Sequence, residues 1–203
     1  PVNLYGATKL CFERLVIAGN SLSGSNGPIF SVLRYGNVFG SRGSVVPVFL
    51  KQKKQGKITI THPEMTRFTI TLEEAINFVL NSASLMIGGE IFVPRIPSYN
   101  IVQLANVIGP NIKHEICGIR PGEKIHELMI GENESHLAIN CKDFFVITPI
   151  TRYHVTDNYM EHYSEYSPQF LKRGETYSSG KNIMIDDNKL LNLVNEYCKK
   201  YPD

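Results

Sequence analysis

The chain has 203 residues, enough for one domain with a substantial core or for parts of two. Its 21 basic and 19 acidic residues are interspersed and leave a formal net charge of +2, which argues against nucleic acid or another polyanion as a partner. It contains no apolar run of about eighteen residues and no basic-then-apolar leader, so we expect no membrane partner and a cytoplasmic location.

The four cysteines follow no metal-ligand spacing. Cys11, Cys117, Cys141 and Cys198 include no Cys-x-x-Cys pair, and all four fall in apolar stretches. We therefore predict reduced thiols in the core rather than a disulfide framework, and no metal site.

Helical and strand patterns alternate in the first part of the chain. Apolar residues three and four apart predict a helix over 4–18, and the short β-branched run 29–33 predicts a strand buried in a parallel sheet. A loop at 34–43 follows. Ser44 is then expected to cap a helix that ends near residue 55.

The same alternation continues toward the C-terminus. It predicts strands at 58–61, 90–93, 113–119 and 144–147, and helices at 72–86, 101–107 and 186–200. Residues 153–180 have the Tyr-, Ser- and Gly-rich composition of surface loops. On the last helix, the inward positions are predicted to be Leu190, Leu191, Val194 and Tyr197. Strands alternating with helices predict an α/β fold with a parallel sheet.

Tyr5 and Lys9 lie four apart on the first predicted helix, so their side chains share one face. A lysine ammonium near a phenol favours the ionised phenol and makes it a usable base at neutral pH. The spacing alone is not specific, because Tyr177 and Lys181 repeat it within a predicted loop. Two interpretations therefore stay open: a catalytic pair, or an ordinary solvated helix face.

A glycine-rich segment, Arg34-Tyr-Gly-Asn-Val-Phe-Gly-Ser-Arg-Gly-Ser44, joins a predicted buried strand to a predicted helix. Its glycines let the backbone approach a ligand closely, the helix start offers unpaired N–H groups, and Arg42 can bind a phosphate. Ligands of open α/β sheets bind at the carboxyl ends of strands. The segment therefore predicts an anion-binding loop, with a plain glycine-rich turn capped by Ser44 as the alternative.

Two further segments present arginines. Arg120-Pro-Gly-Glu-Lys124 predicts a rigid turn whose arginine and carboxylate suit a phosphate and a sugar hydroxyl, and a salt-bridged surface turn is the alternative. Arg67, within Met65-Thr-Arg-Phe68, is another candidate cation among apolar neighbours.

The order of these motifs resembles that of one enzyme family, the inverting UDP-N-acetylglucosamine 4,6-dehydratases, which are extended short-chain dehydrogenases/reductases. The matching motifs are Tyr5-Gly-Ala-Thr-Lys9, Arg34–Pro47, Met65–Phe68, Gly89–Pro94, and Gly118–Lys124 with His126-Glu127. The resemblance runs from Pro1 to about Ile147 and continues more loosely to the end of the chain.

The resemblance implies a lyase that works through bound NADP, with NAD as the alternative cofactor. Tyr5 would take the proton of the sugar 4-hydroxyl as hydride passes to the nicotinamide, and Lys9 would bind the nicotinamide ribose and assist the phenol. Water would then leave across C5 and C6, hydride would return to C6, and C5 would be reprotonated on the opposite face. The product would be a UDP-4-keto-6-deoxy-L-hexose for surface glycans or flagellin glycosylation, including pseudaminic acid biosynthesis.

The same resemblance implies which residues bind each ligand, and it implies a homo-oligomer. Cofactor contacts fall on Tyr5, Lys9, Val38, Phe39, Gly40, Ser41 and Arg42. Contacts with the UDP-sugar substrate fall on Asn37, Val45, Arg67, Arg120 and Glu123.

The resemblance also implies a domain division. Residues 1–43 and 72–97 would form the C-terminal part of a Rossmann-like NAD(P)-binding domain. Residues 44–71 and 98–203 would form a small α/β substrate-binding domain with a C-terminal extension.

Two features that family members carry before the tyrosine motif do not occur in this sequence: the glycine-rich cofactor fingerprint, and an aspartate and lysine that serve the dehydration step. We therefore expect a truncated chain that does not turn over UDP-N-acetylglucosamine by itself. The alternatives are a UDP-sugar 4-epimerase of the same superfamily and a non-catalytic UDP-sugar-binding remnant.

Overall fold

The computed structural model describes residues 3–24, 26–150 and 158–202. Within these ranges the helices are α1 Leu4–Ala18, α2 Val45–Lys54, α3 Leu72–Leu85, α4 Ile101–Ile108, α5 Tyr159–His162 and α6 Asp187–Lys200. The strands are β1 Val32–Leu33, β2 Asn37–Val38, β3 Lys57–Ile60, β4 Thr66–Ile70, β5 Ile91–Pro94, β6 Ser98–Asn100, β7 Lys113–Ile116, β8 Leu128–Ile130, β9 Ala138–Cys141, β10 Phe144–Ile147, β11 Gln169–Phe170 and β12 Tyr177–Ser178. The predicted α/β fold class is confirmed.

The chain divides into two compact units. Unit 1 contains Pro1–Tyr35, Glu73–Arg95 and Leu128–Tyr177, and unit 2 contains Gly36–Leu72, Ile96–Glu127 and Ser178–Asp203. This division differs from the predicted domain boundaries mainly at residues 128–177, which the sequence analysis assigned to the substrate-binding domain.

Unit 1 is built on a five-stranded sheet with the order β1-β5-β10-β9-β11. β1 and β5 are parallel, as predicted, whereas β10, β9 and β11 extend the sheet in antiparallel fashion. A two-residue connection between β9 and β10 places Lys142 at a φ of 47°. Such a short connection can join only antiparallel neighbours, which is why this part of the sheet is not parallel.

The core of unit 1 lies against β5 and β10. The rings of Phe92, Phe144 and Tyr163 meet with centroids 6.2 Å apart, and Tyr163 packs edge-on to both phenylalanines. Offset and edge-on pairs of this kind are the favoured aromatic arrangements. Residues 158–163, which include α5, therefore contribute to the core of unit 1, although the sequence indicated only loops there.

Unit 2 packs α2, α4 and α6 around two small sheets. In one, β2 pairs in parallel with β4, and β4 pairs antiparallel with β6; in the other, β3 and β7 are parallel. Asn100 caps α4 by accepting the N–H groups of Val102 and Gln103, while the Gln103 side chain returns to the Asn100 N–H. The fully buried core includes Ile58, Phe68, Leu104 and Leu190.

Each predicted helix is present, with ends that differ by at most one residue. The predicted strand 29–33 is shorter, since only Val32–Leu33 pairs, and 113–119 ends at Ile116. Leu191 was wrongly predicted to face inward: it is 41% exposed, whereas Leu190 and Val194 are buried. Of the predicted loop 153–180, residues 153–157 lie outside the described residues.

The prediction of buried thiols is correct only for Cys141. Cys11, Cys117 and Cys198 are exposed, and all four thiols are free. Across the described residues, no helix combines the length and apolar character needed to cross a membrane.

Candidate functional site

The Tyr5/Lys9 pair lies at the start of α1 in unit 1. The helix begins after Asn3, whose side chain accepts the N–H of Gly6 at 2.8 Å. The helical spacing brings Lys9 Nζ to 5.4 Å from the centroid of the Tyr5 ring, and the Tyr5 side chain is largely exposed. The ammonium therefore lies over the Tyr5 ring, within the range of a cation–π contact.

The second Tyr-x-x-x-Lys match has no helical context. Tyr177 belongs to the short strand β12, and Lys181 ends the 3-10 turn Ser179–Lys181. Of the two matches, only Tyr5 and Lys9 lie one turn apart on an α-helix.

Arg34, which directly follows β1, ties helix α1 to the rest of unit 1. Arg34 donates from Nε and Nη2 to the two carboxylate oxygens of Glu13, each at 2.7 Å, and from Nη1 to Glu134 Oε1 at 2.6 Å. Burial alone would lower the pKa of Arg34, but the bonds to both carboxylates raise it above its usual value. The guanidinium is thus permanently charged and fixes the helix that carries Tyr5.

Unit 2 contains a cavity of about 670 Å³, here called the loop cavity. Its lining brings together every residue predicted to bind the UDP-sugar and the segment predicted to contact the cofactor: Asn37, Val38, Phe39, Gly40, Ser41, Arg42, Val45, Arg67, Arg120 and Glu123. It is also lined by residues that the sequence analysis missed, among them Thr59, Thr61, Tyr99 and Cys117.

The glycine loop, Val38–Arg42, forms one wall of this cavity. The Phe39 N–H donates to Ile70 O at 2.8 Å, and Gly40 turns the chain with a φ of 70°. The next residues lead to the N-terminus of α2, where Ser44 occupies the cap position without making the predicted side-chain capping bond. Its Oγ is buried and has no partner among the described residues. Unpaired donors at a helix start, with a free hydroxyl beside them, fit an anionic ligand such as a diphosphate.

Arg120 and Glu123 belong to a tight turn at another wall of the loop cavity. Pro121 is followed by Gly122 at a φ of 81°, the arrangement of a type II turn, and the Glu123 N–H donates to Arg120 O at 3.1 Å. Glu123 Oε2 also accepts the Arg120 N–H at 3.1 Å. In the parts of the chain that the structure describes, neither the Arg120 nor the Arg42 guanidinium has a hydrogen-bond or ion-pair partner. Both remain available to a phosphate.

Glu127 orders two of the predicted substrate residues. It accepts the Phe68 N–H at 2.8 Å, its Oε1 lies 4.0 Å from Arg67 Nε, and the nearby Asn37 side chain acts to lower its pKa. Arg67 Nη1 donates to the carbonyl oxygens of Thr66 and Ile125, at 2.7 and 3.2 Å. Burial raises the pKa of Glu127 despite these favourable contacts. The sequence signal for Glu127 was its place directly after the Arg120 turn, but nothing local revealed its partners.

Tyr99 is a second phenol to consider as a base. It lines the loop cavity, but it is buried, and burial together with the nearby Glu127 charge raises its pKa above the usual value. A phenol that resists ionisation can donate a hydrogen bond but is a poor base at neutral pH. Tyr5, exposed beside an ammonium, is the better candidate.

The sequence profile of the polysaccharide biosynthesis protein family matches residues 1–149. The chain belongs to this family. A UDP-N-acetylglucosamine 4,6-dehydratase (inverting) from Campylobacter jejuni is 44% identical over 199 residues, which are 96% of this chain and 60% of that relative. The predicted family resemblance is confirmed.

Two other relatives define the breadth of the similarity. A UDP-glucose 4-epimerase from Rickettsia rickettsii is 34% identical over 206 residues, which cover 98% of this chain and 60% of the relative. The solved X-ray structure of Pen from Bacillus thuringiensis superimposes with a TM-score of 0.80 at 34% identity, over 97% of this chain and 59% of that one. The chain thus spans about 60% of the length of the curated relatives it matches.

Proposed function

We propose that this chain forms the sugar-nucleotide site and the Tyr-Lys pair of a UDP-N-acetylglucosamine 4,6-dehydratase (inverting), a lyase that yields a UDP-4-keto-6-deoxy-L-hexose. The observation that carries the proposal is the loop cavity. Residues drawn from three separate motifs, at 37–45, at 67, and at 120 and 123, line one space in unit 2. The 44% identity to the Campylobacter jejuni dehydratase supports the same reaction.

In this proposal unit 2 binds the substrate through its charges. Arg42, Arg120 and the N-terminus of α2 neutralise the diphosphate, because guanidinium forks and unpaired helix N–H groups both bind phosphate oxygens. Glu123 and Asn37 supply polar partners for sugar hydroxyls. Arg67, held by two carbonyl oxygens, keeps its charge at the cavity wall.

Unit 1 provides the proton chemistry. Tyr5 accepts the proton of the sugar 4-hydroxyl, and the Lys9 ammonium stabilises the phenolate that makes this possible. A bound nicotinamide cofactor supplies a reversible hydride acceptor, and we propose NADP with NAD as the alternative. Lys9 contacts its ribose, and the glycine loop lies along the cofactor and along the UDP diphosphate.

The remaining parts of the proposal follow the family resemblance. The enzyme acts in the cytoplasm as a homo-oligomer, and its product enters surface-glycan or flagellin glycosylation, with pseudaminic acid biosynthesis as the specific pathway. Unit 2 serves as the substrate-binding domain, and unit 1 carries the cofactor contacts Tyr5 and Lys9.

The test combines binding with turnover. The chain itself should bind UDP in calorimetry. A chimera in which this chain replaces the matching part of the Campylobacter jejuni relative should convert UDP-N-acetylglucosamine to a product lighter by one water, with deuterium incorporated at C5 in D₂O. Tyr5→Phe in the chimera should abolish that product. Absence of both UDP binding and product from a folded chimera would contradict the proposal.

A 4-epimerase is the second candidate, because the Rickettsia rickettsii relative bears that name and matches nearly the whole chain. Epimerisation also begins with proton removal from the 4-hydroxyl, so Tyr5 and Lys9 would serve it equally. The same assay separates the two reactions: an epimerase gives UDP-N-acetylgalactosamine, whose mass equals that of the substrate.

A further inference from the structure

The glycine loop lies between two cavities of unit 2. Val38, Phe39, Gly40 and Ser41 line the loop cavity, and the same four residues line a second cavity of about 410 Å³. The other walls of that second space, here called the α6 cavity, include Leu193, Tyr197 and Lys200 of α6. The wall that faces the proposed nucleotide site is therefore backed by the C-terminal helix.

Tyr197, on α6, contacts Gly40 of the glycine loop. A Cβ atom placed on Gly40 would lie 2.5 Å from Cε2 of the Tyr197 ring and 3.2 Å from its Cγ, with Cδ2 also in contact. The ring thus rests directly on the Gly40 backbone. Glycine at a φ of 70° has no side chain to restrict it, so an external contact is what limits its conformations.

Tyr197 can restrict the loop because its own helix is fixed. Leu190 and Val194, two turns and one turn earlier, are buried in the core of unit 2. The Asp186 side chain caps the helix by accepting the Lys189 N–H at 2.9 Å. The Tyr197 ring is half-buried against the same core and packs at a tilt against Tyr201, with ring centroids 5.0 Å apart.

We infer that Tyr197 is a positioning residue: its ring holds the glycine loop in the conformation that receives the nucleotide diphosphate. The identity of the ligand rests on the proposed function, whereas the effect of Tyr197 on the loop is independent of it. Helix α6 lies outside residues 1–149, where the family profile matches. A loop ordered before binding loses less conformational freedom on binding, and so binds more tightly.

Two matched pairs of variants isolate the contact. Tyr197→Phe keeps the ring and Tyr197→Ala removes it, with Leu191→Ala as a truncation on the exposed side of the same helix. Gly40→Ala and Gly43→Ala both place a side chain at a positive φ, 70° and 78°, but only the first would meet Tyr197, because nothing lies within 4 Å of a Cβ at Gly43.

The first measurement is amide hydrogen exchange of the ligand-free chain. Tyr197→Ala should speed exchange across residues 38–42 by about tenfold, while Tyr197→Phe and Leu191→Ala stay near the wild type. Unchanged exchange in Tyr197→Ala with α6 still protected would overturn the inference. If Tyr197→Ala unfolds α6, the two glycine variants provide the test instead. Equal exchange in Gly40→Ala and Gly43→Ala would overturn the inference.

The second measurement is UDP affinity by calorimetry. Tyr197→Ala should weaken UDP binding by about five- to tenfold, and Tyr197→Phe should not. If the wild type binds no UDP but Tyr197→Ala still speeds exchange in the glycine loop, the proposed ligand is refuted. The positioning role of Tyr197 is then still supported. Equal UDP affinity in the wild type and Tyr197→Ala would refute the effect on binding alone.

Discussion

Arg34 and Glu13 are joined by two parallel hydrogen bonds, from Nε and Nη2 to the two carboxylate oxygens, each 2.7 Å long. Glu13 lies on α1, one turn beyond Lys9, and is almost fully buried. The same guanidinium reaches Glu134 and the carbonyl oxygen of Met129. One side chain therefore links α1 to the segment around residues 129–134 within unit 1.

Replacing Arg34 with alanine should destabilise unit 1 by about 3–5 kcal/mol, because it leaves the buried Glu13 carboxylate without its partner. Arg34→Lys keeps the charge but cannot form the paired bonds, so a smaller loss is expected. Urea unfolding followed by amide exchange of β9 and β10 measures the change. Lys57→Ala, which removes the exposed Lys57–Glu115 pair, is the control and should leave the midpoint unchanged. Equal midpoints for Arg34→Ala and the control would show that the buried pair is not stabilising.

The stabilisation from Glu134 should disappear in acid. Burial alone would raise the pKa of its carboxyl, but the bond to Arg34 and its charge lower that pKa below the usual 4.5. As pH falls, the unfolded chain therefore takes up the proton first, so the stabilisation is complete above pH 4.5 and is lost below it. The unfolding free energies of the wild type and Glu134→Gln are measured at intervals of about one pH unit. The difference between them should shrink from pH 6 toward pH 3. A constant difference would argue against the ion pair.

Glu127 should show the opposite sign. Burial raises the pKa of this carboxyl, so its stabilising contribution is present below pH 4.5 and is lost as pH rises through the folded-state value. Relative to Glu127→Gln, the wild type should therefore lose stability as the pH rises above 4.5. Exchange protection of β4, which carries Phe68, reports this locally. If the difference in stability between the wild type and Glu134→Gln shows the same pH trend, the cause is a general effect of pH and not Glu127.

Lys9 and Lys181 offer a direct comparison between the two Tyr-x-x-x-Lys matches. Lys9→Met in the chimera with the Campylobacter jejuni relative should reduce kcat by about 10²- to 10⁴-fold, because the phenol loses the charge that favours its ionised form. Lys181→Met, in a 3-10 turn, should leave kcat near the parent value. Similar losses in the two variants would remove the special role of Lys9.

The helices and the site segments were predictable because their signals are local. Periodic apolar positions define α1, α3 and α6, and the glycine- and arginine-containing motifs need only a few neighbouring residues. The resemblance then placed separate motifs near one ligand, and ten of those positions line the loop cavity.

The missed strands depend on distant partners. β4 contains Thr66, Arg67 and Thr69, which weakens the apolar signal, and it exists because it pairs with β2 and β6. β9 was missed because its hairpin with β10 turns at Lys142 and Asp143 instead of the Asn-Gly or Asp-Gly that marks a two-residue turn. The partners of Arg34 and Glu127 were equally hidden, since each is bonded to residues far away in sequence.

The exposed thiol of Cys117 lies in the lining of the loop cavity. Modification of Cys117 by a thiol-directed reagent can therefore report whether the cavity is occupied. The reagent reacts when the cavity is empty, and a bound nucleotide shields the thiol. Cys11 and Cys198 are also exposed, so replacing both with serine would confine the fast labelling to one position. The rate of alkylation then reads out occupancy in a protein that has no tryptophan to report it by fluorescence.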